Sequence, residues 1–329
     1  MLAAWLALHA GVSALATACA LAYARHSNLV DQPGERRSHA VPTPRGGGIG
    51  IAVALLAGCM VLLIRGPAPA SAVIGFATGL LLVAGIGWID DHRPLSPVLR
   101  LGVQCLAGAV LAWGLFGAEG RWGWALLAAC LVPVLVNVWN FMDGIDGLAT
   151  TQATLASLGL VALVPCVALP ALALAAACMG FLPFNFPRAR IFLGDAGSGT
   201  LGYALAALVA AAADDIGGHH AFLLLLPLSA FLVDASLTLM SRMLAGERWW
   251  QPHTSHLYQR WVKAGRSHAF VTSVYAAFSL IATIVALFLG GFTPLPCGGG
   301  TVVWFALATT VWFVMRARLV PRKGHAEDA

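Results

Sequence analysis

Apolar runs of about twenty residues, without the alternation a strand would show, recur along the whole chain. Twenty helical residues rise about 30 Å, the thickness of a bilayer's hydrocarbon core, whereas a tilted barrel strand crosses in about ten. The fold expected is therefore all-α, a polytopic integral membrane protein forming one domain over residues 1–329. Eleven apolar segments run near 2–23, 46–64, 68–89, 98–117, 122–139, 149–167, 169–186, 198–213, 220–241, 269–290 and 301–316. Only Pro165 and Pro170 separate the sixth from the seventh, so ten transmembrane helices is the alternative count. Charged residues are 10% of the chain, against about 25% for a soluble domain, which excludes a water-soluble globular enzyme. With 59% hydrophobic residues the chain is not disordered either. The seven cysteines form no C-x-x-C pair, and six lie inside apolar runs; they read as small packing residues rather than a disulfide scaffold. No Lys or Arg precedes Arg25, so the first apolar run reads as a retained helix.

Alternating the connections across the membrane puts 17 of the 19 Lys and Arg on one side and leaves only Arg65 and Arg121 on the other. By the positive-inside rule the basic side is cytoplasmic, the N-terminus lies outside and the C-terminus inside. The same alternation collects Asp90, Asp91, Asp143, Asp146, Asp195, His39, His253 and His256 on the cytoplasmic face, leaving Glu119, Asp214 and Asp215 outside. The connections 24–45, 90–97, 140–148, 187–197 and 242–267 are thus expected to form the active site together.

Asp90 and Asp91 close one apolar run. Two unit charges about 4 Å apart repel by roughly 4 kcal/mol at an effective dielectric of 20, so a divalent cation or an arginine is expected beside them. Asn137, Asn140 and Asp143, spaced by three, share a helical face, with Gly144 and Gly147 allowing tight turns beside Asp143 and Asp146. Oxygen ligands of this kind suit Mg²⁺, which takes one or two carboxylates and leaves the rest to water and phosphate. The spacing excludes an EF-hand.

Gly197, Gly199 and Gly202 spell a G-x-G-x-x-G, but an apolar span follows and no βαβ unit surrounds it. Asp195 is better read as presented at a helix N-terminus, whose N–H groups would receive phosphate oxygens. His253 and His256 lie among Arg248, Arg260, Lys263 and Arg266, a setting that favours anion binding over zinc. Asp234, inside the ninth segment and eight residues before Arg242, reads as half of a local charge pair.

With these segments the chain resembles the polyprenyl-phosphate N-acetylhexosamine-1-phosphate transferases, a family including WecA and MraY enzymes and O-antigen initiators of the WbpL type. The resemblance rests on Asp31-x-Pro33, on His39 through Pro42-Thr43-Pro44-Arg45-Gly46-Gly47, on Asp90-Asp91 and on the N-x-x-N-x-x-D-G-x-D-G-L run from Asn137 to Leu148. Leu193-Gly194-Asp195-x-Gly197-Ser198 and His253–His256 complete it. It implies Mg²⁺ on Asp195 with Asn140 or Asp143 beside it, Mn²⁺ being the alternative ion. It also implies Asp90 and Asp91 serving a lipid phosphate acceptor, Asp146 near the nucleotide base, and His253 and His256 at the donor's pyrophosphate or sugar. Arg45, Asn137, Asn140 and Arg260 join the substrate-binding set, and Asp90, Asp91 and Asp143 form the catalytic one. The histidine segment departs from the pattern at Ser255, where MraY enzymes carry a third consecutive histidine and WecA an H-x-H-H. The expected partners are a UDP-N-acetylhexosamine, undecaprenyl phosphate, membrane lipid and a second copy of the chain in a homodimer, with no nucleic acid. The expected location is the bacterial inner membrane.

Two rivals remain. An ion-coupled transporter would use intramembrane acids near the midplane and an inverted repeat, and only Asp234 points that way. A CDP-alcohol phosphatidyltransferase would need D-G-x-x-A-R, which does not follow Asp143.

Overall fold

The computed structural model describes residues 1–32, 41–66, 68–217, 220–247 and 253–319. Pro33, His39, Arg248 and residues 250–252 lie outside the described residues. Twelve α-helices are present among the described residues: α1 (Leu2–His26), α2 (Ile49–Arg65), α3 (Ala70–His92), α4 (Pro97–Ala112), α5 (Trp122–Met142), α6 (Leu148–Leu163), α7 (Ala168–Asn185), α8 (Gly194–Ile216), α9 (Ser229–Leu244), α10 (Leu257–Lys263), α11 (His268–Leu289) and α12 (Pro294–Arg318). One π-helical turn, Trp113–Gly117, prolongs α4. Two short strands, β1 (Val30–Asp31) and β2 (Thr43–Pro44), pair antiparallel between α1 and α2.

Eleven of these helices match the eleven apolar segments one for one, and α6 and α7 are separate, with a 3₁₀ turn at Pro165–Val167 between them. Eight helices are long and apolar enough to cross a membrane, and α2 and α6 are shorter apolar helices. The protein is an all-α, multi-pass membrane protein. The remaining helix, α10, was not expected: it folds inside the 242–267 connection.

Several helices run past their apolar stretch. Helix α3 continues to His92, so Asp90 and Asp91 occupy its last turn rather than the following loop, and α5 continues to Met142 and carries Asn140. Helix α8 begins at Gly194, four residues before the expected start, and takes Asp195 into its first turn. Hydropathy marks the part of a helix that lipid or core covers; polar end turns stay helical wherever partners satisfy them.

Helix α8 is the axis of the bundle, with 94% of its apolar window buried, and it packs on α3 and α5. Its Gly- and Ala-rich sequence lets neighbouring backbones approach closely, which substitutes for a hydrophobic driving force inside lipid. The tightest approach concerns the site directly. A Cβ built on Gly87 of α3 would lie 2.5 Å from the Asp195 carbonyl carbon, so nothing larger than glycine fits between α3 and the start of α8.

Candidate active site

The ends of α3, α5 and α8 meet around Asp195. Asn140 on α5 donates its amide to Asp195 Oδ1 at 2.6 Å and to Ser198 Oγ at 3.2 Å. Asp91 on α3 accepts the backbone N–H groups of Asp195 (3.1 Å, Oδ1) and Ala196 (3.2 Å, Oδ2). The α8 N-terminus expected to receive phosphate oxygens is therefore already capped by Asp91. A carboxylate there satisfies two orphan donors and complements the helix dipole. The Arg45 guanidinium donates to the Asp91 backbone carbonyl, fastening the β2 connection to the end of α3. That connection is zipped to the start of α8 by backbone bonds from Phe192 N–H to the Pro44 carbonyl (2.8 Å) and from Gly47 N–H to the Phe192 carbonyl (2.9 Å).

Asp90 faces the other way. Its Oδ1 accepts the Leu95 N–H and its Oδ2 pairs with Arg100 of α4, each at 2.6 Å. Arg100 also reaches Asp195 Oδ2 at 3.4 Å, so one guanidinium bridges two carboxylates of the cluster. Asp90 is 8% exposed and Asp91 2%, whereas the Asp195 side chain is 33% exposed.

Asp143 follows α5 and is half-buried. It makes no side-chain hydrogen bond or ion pair among the described residues. Burial, with the charges of Asp91 and Asp146 adding to it, pushes its carboxyl up to about 8. Asp146 lies 3.2 Å from His268 Nδ1, and Thr272 donates to its backbone carbonyl, so α11 holds this turn. With Phe186, Arg188, Arg190 and His268, Asp146 lines a cavity of about 560 Å³ beside the cluster. Gly147 adopts φ +72°, as a tight turn requires. Gly144 keeps an ordinary φ; its missing side chain instead leaves room for the Tyr258 hydroxyl.

The structure does not bring Asn137 into the cluster. Its amide donates to Gln104 Oε1 and to the Pro133 carbonyl, both at 2.7 Å, bracing α4 against α5. The helical face shared by Asn137, Asn140 and Asp143 divides between two neighbouring helices, and only Asn140 points at α8.

His253 and His256 lie together, ring centroids 4.9 Å apart, and His256 stacks on Phe141 at 6.3 Å. The Ser255 hydroxyl sits 2.9 Å from His253 Nδ1, and Arg260 Nε donates to the Ser255 carbonyl at 3.1 Å. Burial first, then the neighbouring His256 and Arg242, lower His253 to about 4, so the ring is neutral at pH 7. A Ser255 hydroxyl donating to Nδ1 places the ring hydrogen on Nε2, available to an anion. If this segment contacts a nucleotide-sugar donor, as the resemblance implies, Ser255→Ala is expected to raise donor KM about three- to tenfold, the cost of about one hydrogen bond, with kcat little altered.

Asp234 does not pair with Arg242, which binds Glu247 at 2.8 Å. Asp234 instead joins the histidine segment, Tyr275 and Trp312. Sequence reading also missed Arg100, Gln104 and Tyr258. Arg100 follows Asp90 by ten residues on the next helix, a signal obscured by its place in the general cationic excess.

Carboxylates, amides and guanidinium groups gather at one end of a multi-pass membrane bundle, a setting suited to charged substrates. Residues 73–213 match glycosyl transferase family 4. The chain is 30% identical to the decaprenyl-phosphate N-acetylglucosaminephosphotransferase of Mycobacterium leprae, over 89% of this chain and 85% of that one. It is 26% identical to the undecaprenyl-phosphate alpha-N-acetylglucosaminyl 1-phosphate transferase of Thermotoga maritima, over 82% and 86%. It is 32% identical to the phospho-N-acetylmuramoyl-pentapeptide-transferase of Moorella thermoacetica, over 51% and 62%. The chain belongs to glycosyl transferase family 4, and it is a transferase.

Proposed function

We propose that the protein transfers an N-acetylhexosamine-1-phosphate from a UDP-sugar to undecaprenyl phosphate and releases UMP, the first step of a cell-envelope glycan such as O-antigen. The acid-bearing end of the bundle would face the cytoplasm of a bacterial inner membrane, where a soluble dianionic donor meets a lipid-tethered acceptor. The observation that carries this reading is the junction at Asp195, where α3, α4, α5 and α8 meet and one partly exposed carboxylate lies between Asn140 and Arg100. The names of the relatives support the same chemistry.

Mg²⁺ fits this junction. Asp195 is a half-buried carboxylate, 33% exposed, and Asn140 lies against it through its amide nitrogen, so that turning the amide over would bring a second oxygen to an ion there. Among the described residues no three His, Cys, Asp or Glu side chains form a ready metal cage. That suits an ion that takes one or two protein oxygens and completes its shell with water and substrate phosphate. Asp195 and Asn140 would hold the ion, which when bound neutralises charge on the donor pyrophosphate.

The chain's own groups supply positioning, the main requirement of phosphoryl transfer. Arg100 offers a cation to the acceptor phosphate beside Asp90. His253 presents Nε2–H to the donor, and Arg260 holds the segment that carries it. The ionised fraction of Asp143, a carboxyl raised close to neutral pH, takes the remaining proton of an acceptor that arrives as a monoanion. A phosphate monoester's second pKa is near 6, so most of the acceptor needs no base. The acceptor oxygen bonds to the β-phosphorus as the bond to the UMP oxygen breaks.

Purified protein incubated with UDP-N-acetylhexosamines, Mg²⁺ and undecaprenyl phosphate should form a lipid-linked diphospho-sugar and UMP. Uptake of a solute or ion into vesicles without any lipid product would replace this reading with the transporter.

A further inference from the structure

Asp234 is 1% exposed, stands apart from the acid cluster, and takes no part in the transfer described above. Five donors surround its carboxylate. Oδ1 accepts the Leu257 N–H at 2.9 Å, the Trp312 indole N–H at 2.9 Å and the Thr238 hydroxyl at 3.1 Å. Oδ2 accepts the Tyr275 hydroxyl at 2.7 Å and the Tyr258 N–H at 3.5 Å. His256 turns its Nδ1 toward Oδ1, 3.8 Å away. Helices α9, α10, α11 and α12 therefore meet on one side chain.

Two of the five donors are the first backbone N–H groups of α10, which nothing in a seven-residue helix can satisfy. A helix so short has little stability of its own, so its place depends on what docks it. Asp234 docks it by its N-terminus, and the consequence reaches the active site in one residue. The buried Tyr258 sends its hydroxyl to the Phe141 carbonyl at 3.1 Å, two residues before Asp143. His256, just before α10, lies nearly parallel to the Tyr258 ring at 5.8 Å and to the Phe141 ring at 6.3 Å. Packing alone would accept a leucine at position 234. A carboxylate matched to donors from three other elements fixes one register of α10 against α5.

We infer that Asp234 is the positioning residue of the histidine segment, holding His256 and the start of α10 over the end of α5 so that His253 and His256 face the donor. The inference rests on the proposed role of that segment in donor binding. An isosteric amide at position 234 would turn an NH₂ toward N–H and O–H donors and release α10 without removing volume.

Three measurements on the full-length protein in detergent, with matched thermal stability as a control, test this. In Asp234→Asn, hydrogen exchange of the 253–263 segment should quicken, with Leu257 and Tyr258 losing protection, while α5 and α8 stay protected. Donor KM should rise about tenfold, equivalent to about 1.4 kcal/mol, with acceptor KM unchanged. Combining Asp234→Asn with His256→Ala should cost little more than His256→Ala alone, because both act through one segment. If Asp234→Asn does not fold, Tyr275→Phe and Trp312→Phe each remove one donor and should shift exchange and donor KM the same way by smaller steps. Unchanged exchange at Leu257 and Tyr258, or fully additive losses in the double variant, would overturn the inference. An unchanged donor KM in His256→Ala alone would instead remove the donor-binding role of the histidines, and the exchange result would still decide whether Asp234 docks α10.

Discussion

Asp195→Asn should lower turnover by at least about 10²–10³-fold, the cost of removing one preorganised charge aimed at a transferring group, and leave the fold intact. The substitution keeps the side chain's shape, and an amide oxygen can still accept from Asn140, so the α5–α8 contact survives. What disappears is a carboxylate, 33% exposed at this junction, that can ionise onto a bound cation. Exchange of labelled UMP into the donor isolates this step from acceptor supply. Titration of the purified variant with Mn²⁺, followed by its paramagnetic signal, should show binding weakened in parallel with the lost exchange. Full exchange in Asp195→Asn without added metal would remove the metal from the proposed chemistry and leave Arg100 as the cation that matters.

Much of the fold was legible because lipid imposes a coarse rule: an apolar run of sufficient length is a helix. The eleven segments follow from that rule, and alternating their connections across the membrane gathers the acids at one end, while the break at Pro165, left open by the sequence, is a 3₁₀ turn in the structure. It is silent about partners. Asn137 and Asn140 carry the same side chain on neighbouring turns of α5, yet one braces α4 and the other holds Asp195, a difference set by which helix lies opposite. Asp234 shows the same limit. Its position inside an apolar segment suggested depth in the membrane and gave the transporter its one foothold. The structure sets it beside His256, whose ring lies over Phe141 at the end of α5, so it is level with the acid-bearing end of the bundle. Phe231, three residues earlier, touches Trp139 at 5.0 Å and fixes the same level. Helix α9 then runs ten residues further, and the chain returns through the histidine segment to α10. Linear sequence shows neither the overshoot nor the return.

The tandem aspartates should separate in a way their adjacency conceals. Asp91→Asn is expected to lose both stability and activity, whereas Asp90→Asn should lose mainly activity. Asp91 is the acceptor for two backbone N–H groups at the start of the most buried helix, and an amide there turns at least one donor toward another. Each buried group left unpaired costs about 1–3 kcal/mol, so a destabilisation of about 2–5 kcal/mol is expected, visible as a lowered unfolding midpoint in detergent. The loosened first turn carries Asp195 with it, so activity should fall with stability, and extra Mg²⁺ should not restore it. Asp90 has a different neighbourhood. Its main charged partner, Arg100, is 31% exposed and can stay solvated when the pair is broken. The stability loss should therefore be about 1 kcal/mol or less, in the range of partly exposed pairs. Its kinetic effect should be large, because Arg100 is then free to close fully onto Asp195 and is no longer held for the acceptor phosphate. Acceptor KM should rise more than donor KM. Equal destabilisation by the two substitutions would contradict the division of labour seen at the end of α3, where one carboxylate builds the helix junction and its neighbour steers an arginine.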